Sequence, residues 1–464
     1  MPAIITKSLK RKLTQLIFDE VTSASNRYYI GIGKSEAYDS AENVTTPIDT
    51  IREERNARAG MQSLKSAADC SFVVPRYNWS SGTIYQSFDD NFAIQPSPNS
   101  FYVLTEDNQV YICIQQSKNA DGAAQASTVK PTGTTTKAFK TSDGYVWKYM
   151  FTLTAARANK FLSANFLPVE KILDSANVNT LTGTSTLSAL EILQAKVQDS
   201  AVPGQIINVQ VTNGGTGYTS TPSVTIVGNG ANATATATVN SGAVTKVELD
   251  SSADSGLTFG QGFTFGSAII SGGGGNGAAA RIILGPDSGI GSDPRNELLS
   301  SSIMFNTKPT GIEDSNFIVN QDFRQVMLVR DPKVIADSAL TAASGKALSF
   351  LQVTSVSDAA AFNLDTIILG TTSFAKAHVD EVDSDRIYFH QSEETLFRPF
   401  QEGETISGGG NTATLVGAGV DANTLADSND DVDKLSGDLF YIENRAPVFR
   451  TSAQTEDIKI VITL

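Results

Sequence analysis

The chain contains only two histidines, His378 and His390, and these limit what imidazole chemistry it can do. Both fall in predicted strands, with no HxxxH-type spacing and no cysteine nearby. They make a poor metal pair and read better as packed or exposed strand residues. Cys70 and Cys113 lie far apart without CxxC spacing, and neither has a histidine near it in sequence. There is no GxSxG elbow, so neither a serine nor a cysteine nucleophile is marked. The two cysteines are read most simply as buried thiols, with a single bridge as the alternative. Gly33-Lys34-Ser35 imitates the tail of a phosphate-binding loop. However, Tyr28 occupies the place of the first glycine and no helix follows, so the backbone-amide cradle is missing. Gly272, Gly274 and Gly277 satisfy a GxGxxG pattern, but Ala278 to Leu284 reads as a strand and not as a phosphate-capping helix.

The acidic groups give no stronger lead. Asp427 to Asp433 offers alternating oxygens, but Val432 replaces the turn glycine of a calcium loop and no helices flank it. A solvated acidic linker is the expectation. Asp380-Glu381 and Glu393-Glu394 read as surface charge, because burial and placement, not adjacency, make an acid and a base. No catalytic, cofactor-binding or metal residue is therefore assigned, and no enzymatic activity is expected.

Positioning any site falls to a β-rich scaffold. Glycines number 37, charged residues are 18% of the chain, and Thr, Ser, Val and Ala are plentiful, which suits sheets joined by many turns. Acidic residues outnumber basic ones by 49 to 35, a formal charge of −14, so nucleic acid and anionic lipid are not expected as partners. No apolar run approaches bilayer length, so membrane insertion is not expected. The basic N-terminal stretch is followed by too short an apolar run for a secretory signal, which predicts an intracellular product.

The densest aromatic run is Thr141 to Leu153. After the turn at Asp143-Gly144, period-2 alternation places Tyr145, Trp147, Tyr149, Phe151 and Leu153 on one face of a strand inside a packed sheet. Leu9, Leu13, Leu16 and Ile17 predict an amphipathic helix over 8–20 that docks on the body. Thr46-Pro47 with Ile48, Ile51, Met61 and Leu64 predicts helix over most of 47–68. Phe101 to Ile114 reads as a hairpin, and a polar loop runs from about 117 to 136.

Five blocks then occur in a telling order: Val74 to Trp79, Val110 to Cys113, Asp143 to Tyr149, Asp322 to Val326, and Gly437 to Val448. With the closing Gln454 to Leu464, they resemble the baseplate wedge protein (gene product eight) of T-even-like contractile-tailed bacteriophages. The resemblance covers about residues 25–175, 300–335 and 437–464. It implies a β-sandwich body with two helical excursions, formed by 1–194, 291–345 and 426–464, and a homodimer that binds neighbouring wedge subunits. It also implies a place in the virion's tail baseplate after assembly in the host bacterial cytoplasm. Tyr145, Trp147, Tyr149 and Arg445 match the family words and are candidates for interface or core.

Two stretches interrupt the resemblance and read as inserted small β domains. Residues 195–290 hold an internal repeat, in which Gly217, Tyr218, Thr219, Ala233 and Ala235 recur as Gly262, Phe263, Thr264, Ala278 and Ala280 at one common offset. Residues 346–425 carry short strands separated by polar turns, as in a small barrel or sandwich. An alternative function follows from the repeat: Tyr218 and Phe263, beside glycine-rich turns, would present aromatic platforms to a host-surface glycan.

Overall fold

The computed structural model describes residues 4–23, 27–91, 100–172, 187–249, 251–252, 256–257, 259–416 and 431–464. Antiparallel strands dominate and helices are few, so the fold is mainly β. The chain forms two compact units, one of Met1–Lys12, Ser71–Ser302 and Thr463–Leu464, the other of Leu13–Cys70 and Ile303–Ile462. The body expected as one sandwich is divided between them, because its apolar strands collect around separate cores.

In the first unit a four-stranded sheet runs in the order Tyr102–Leu104, Gln109–Gln115, Val146–Thr152, Phe139–Lys140. The aromatic strand is interior, as the size of its side chains requires. Tyr145, Trp147 and Tyr149 pack with Tyr85, Tyr111 and Cys113 on one face. The opposite face meets Val74, Leu167 and Val169 of a second strand pair, which makes the unit a sandwich. Phe151 and Leu153 lie on this opposite face and not beside Trp147. The register slips between Val110 and Tyr111, leaving Met150 as an extra residue, and a bulge of this kind turns the following side chains over. Cys70 and Cys113 are buried thiols and form no disulfide.

The first insertion is a six-stranded antiparallel sheet, ordered Ala243–Leu249, Ala235–Asn240, Ser223–Gly228, Gly266–Ser271, Asn276–Leu284, Ile206–Thr216. Its two outer strands lie against each other and close the sheet on itself around Val209, Ala235, Ala237, Val247 and Ile282. The two repeats thus merge into one body, and Leu284 pairs with Ile206, so the chain enters and leaves on neighbouring strands.

The second unit is built on a five-stranded sheet, ordered Ser344–Lys346, Met61–Ser66, Tyr28–Gly33, Asp322–Arg330, Asp438–Phe449. Tyr28, Ile30 and Ile32 face Phe305 and Ile460, while Tyr29 faces the other way onto Met327, Val329 and Leu64. Near-continuous apolar sequence is what a strand covered on both faces demands. The helix expected over 47–68 is confined to Ile51–Ala59, capped by Thr50, whose side chain accepts from the Glu53 N–H. Gly60 stops it, and Met61–Ser66 pairs with Tyr28–Gly33 as a strand. The N-terminal helix spans Lys7–Val21, but its inward side is Ile17, Phe18 and Val21. Leu9, Leu13 and Leu16 stay exposed, contrary to the docking expected for them.

The second insertion holds six strands in the order Ser349–Gln352, Arg386–His390, Lys376–Asp383, Ile367–Gly370, Thr405–Gly408, Asn411–Thr414. A bridge between Val353 and Leu415 joins the first strand to the last, giving a small closed barrel around Leu351, Ile368, Val379, Ile387 and Phe389. Residues 417–430, including most of the acidic run from Asp427, lie outside the described residues.

Candidate functional site

The two histidines are register partners. His378 on Lys376–Asp383 lies opposite His390 on Arg386–His390, and the rings stack 4.9 Å apart at 12°. His390 is fully buried, with its Nδ1 2.6 Å from Asp380 Oδ2 and its Nε2 3.0 Å from Glu36 Oε2. The Ser35 hydroxyl donates to the other Asp380 oxygen at 2.6 Å, and Lys34 Nζ pairs with Glu36 at 2.9 Å. Asp380 has no exposed surface, so its reading as ordinary surface charge is corrected. Its neighbour Glu381 pairs with Lys346. The Lys34-Ser35 tail that imitated a phosphate loop instead ties the strand end at Gly33 to the barrel.

The electrostatics of this clasp follow from its geometry. Burial opposes the charge on His390, but the two carboxylates at its ring nitrogens outweigh it and raise the imidazolium to about 10. Burial would likewise raise Glu36, yet His390 and Lys34 hold it well below the usual carboxylate range. His378 is pushed down, by burial first and then by the charge of His390, and its buried Nε2 has no hydrogen-bond partner. With both His390 nitrogens donated to carboxylates, the ring has no lone pair with which to take a proton at neutral pH. Ser35 donates to Asp380 and not to an imidazole, so the geometry of an activated nucleophile is missing. The cluster holds the barrel to the strand Tyr28–Gly33 and its following loop as an ionic lock.

Beside the lock lies a polar recess of about 500 Å³ lined by Lys34, Glu36, Arg52, Glu53 and Glu393. It shares Arg52 and Glu393 with a larger, apolar cleft of about 1010 Å³. Among the described residues, no group of three or more His, Cys, Asp or Glu side chains is arranged to hold a metal ion. No helix there is long and apolar enough to cross a membrane.

A further buried titratable pair lies in the first unit. Burial pushes the Lys148 ammonium down to about 8, against the pull of Glu297, and pushes Glu297 up to about 7. Glu297 is satisfied by the N–H groups of Gly291 and Asp293 and by the Ser292 hydroxyl, which is the role of a local cap.

The residues singled out by sequence are dispersed. Tyr145, Trp147 and Tyr149 are all wholly buried and belong to the core, not to an interface. Arg445 is half-buried where the ladder with Asp322–Arg330 breaks. Its backbone N–H donates to the Tyr38 hydroxyl at 3.1 Å. The arginine that organises this region is Arg450, which sequence reasoning passed over. It is buried over Phe317, makes two contacts with Glu456 at 3.0 Å, and donates to the carbonyls of Ile318 and Gly311.

Tyr218 and Phe263 are buried in the first insertion, and neither ring offers an open face to a sugar. They act as reciprocal plugs. The Tyr218 ring sits where a Cβ on Gly275 would come within 2.6 Å, and the Phe263 ring where a Cβ on Gly230 would come within 2.3 Å. Those two glycines are repeat-equivalent, so each repeat inserts its aromatic ring into the glycine notch of the other. Gly230→Ala is expected to destabilise the insertion by about 1–3 kcal/mol through overpacking, and Phe263→Leu should restore part of the loss. Paired urea titrations of the single and double variants would measure this, and additive losses would refute the contact.

No protein-family model matches the chain, and no curated protein is significantly similar to it.

Proposed function

We propose that this protein is a non-enzymatic structural subunit of a phage tail baseplate wedge. It acts as a homodimer bound to neighbouring wedge subunits in the virion, after assembly in the host cytoplasm. The observation that carries the reading is the ordered set of wedge-like blocks. Their behaviour in the fold supports it: Val110 to Cys113 pairs with Asp143 to Tyr149, and Asp322 to Val326 pairs with the strand from Asp438, across the whole second insertion. Separate blocks thus form adjacent strands within each unit, as a shared framework would require.

The role is mechanical. Sheets covered on both faces and locked by buried ions resist deformation, while assembly contacts are left to the exposed surface and the insertions. Size-exclusion chromatography with light scattering is expected to give a dimer, and mixing with the other wedge subunits a larger complex. A monomer that ignores those subunits would overturn the reading.

A further inference from the structure

We propose that the exposed face of the N-terminal helix is the surface through which two copies of this chain pair, helix against helix and antiparallel across a two-fold axis. The inference deepens the homodimer reading and rests on it.

At 100° per residue, Leu9, Leu13 and Leu16 share an arc of about 60° on the helix Lys7–Val21, and they are 50%, 43% and 55% exposed. The other side of the helix carries Ile17, Phe18 and Val21 into a core, so the leucines cannot turn inward without drawing those three out. Single exposed apolar residues are ordinary, but three aligned on one helix face mark a contact surface.

The charges along this face select the occupant. Lys12 and Asp19 lie seven residues apart and so on the same flank of the leucines. Both are exposed, and among the described residues neither has an ion pair; Asp19 accepts only from the Gln15 side chain, at 2.6 Å. Glu20 ends the stripe and is already held by Arg27 and Arg330. Lys7, Lys10 and Arg11 lie roughly 90° or more away from it, and Arg11 is bonded to Asn296. When a second copy runs antiparallel with its Leu16 on Leu13, its Asp19 comes beside Lys12, and symmetry repeats both contacts. Pairing Leu9 with Leu16 would instead bring the two Lys12 side chains together, and a parallel pair would leave Lys12 and Asp19 without opposite charges. The face is thus its own complement in one orientation and one register. Anionic lipid fits less well, since Asp19 and Glu20 share the face and the chain carries a formal charge of −14.

The test is sedimentation velocity on the full chain over a range of concentrations. Three leucines make a contact smaller than a standard interface, so a reversible dimer with a Kd of about 10 μM is expected. Leu13→Glu should weaken it at least about tenfold. At low salt Lys12→Asp and Asp19→Lys should each weaken it about threefold by setting like charges opposite, and the double exchange should restore it. Unchanged melting temperatures would show that the variants are folded. A dimer indifferent to Leu13→Glu, or a double exchange no better than its parents, would overturn the helix contact and leave a homodimer formed elsewhere. A chain monomeric at every concentration would overturn both. If the dimer forms and responds as stated but ignores the other wedge subunits, only the assembly reading falls.

Discussion

Trp147→Ala is expected to destabilise the first unit by about 3–5 kcal/mol, a large share of the stability of any domain. The indole is wholly buried, stacked on Tyr145 at 5.5 Å and met edge-on by Tyr85 at 5.7 Å, on a strand with neighbours on both sides. Removal leaves a cavity that cannot collapse, because both sheet partners are fixed by their ladders. The indole N–H has no hydrogen-bond partner, so no compensating polar group is lost and the effect is one of packing alone. Trp147→Phe should therefore recover most of the loss. Hydrogen exchange at Gln109–Gln115 would report it, and a loss below about 1 kcal/mol would sink this account of the core.

The second large effect concerns the lock. His390→Ala is expected to cost about 3–5 kcal/mol, because it leaves the buried Asp380 carboxyl with the Ser35 hydroxyl as its remaining hydrogen-bond donor. The same group sets a pH dependence. The folded pKa of His390 is raised to about 10 from 6.5, so its contribution is complete below pH 6.5 and is lost as pH climbs through about 10. His378 is depressed from 6.5, so its contribution is present above that value and is lost as pH falls, when a second imidazolium would form against the first. Glu36, also depressed, adds to the acid-side loss below its ordinary value of 4.5. Lys34, Lys434 and Glu394 also act on the cluster, but none sits between the stacked rings. Barrel stability should peak near pH 6.5. His378→Phe should flatten the acid side above pH 5 and His390→Ala the alkaline side, as read from melting temperature across pH. A flat profile in the unaltered chain would refute the assignment.

Much of this architecture could be read from residue order. The aromatic strand, the Phe101 to Ile114 hairpin and all six strands of the second insertion fall where alternation and turn residues place them. The misreadings have physical causes. A single bulge at Met150 moved Phe151 and Leu153 to the opposite face, and no side-chain pattern announces an extra residue in a ladder. Met61 to Ser66 carries apolar residues at a spacing that suits a helix, and it became a strand because its neighbour supplied an edge. The division of the body also escaped notice, since which strands share a core is decided by tertiary pairing.

The lock was half legible. The tight turn at Ser384-Asp385 makes a hairpin of the two histidine strands and so brings the rings near each other, but its register alone sets His378 opposite Gln391, and the bulge at Asp380 makes His390 its partner. What turned an imidazole into a buried cation was Glu36, hundreds of positions upstream, and only the fold brings it there. Tyr218 and Phe263 teach the converse. A ring beside glycines looks like an open platform in sequence, and in three dimensions the glycines are the space into which the partner repeat's ring is pushed.

Both insertions begin and end on strands that touch, Ile206 beside Leu284 and Val353 beside Leu415. The first insertion therefore enters and leaves at one place, and removing it would leave a gap that a few residues span. Such a cassette can be exchanged or discarded without rebuilding the scaffold that carries it.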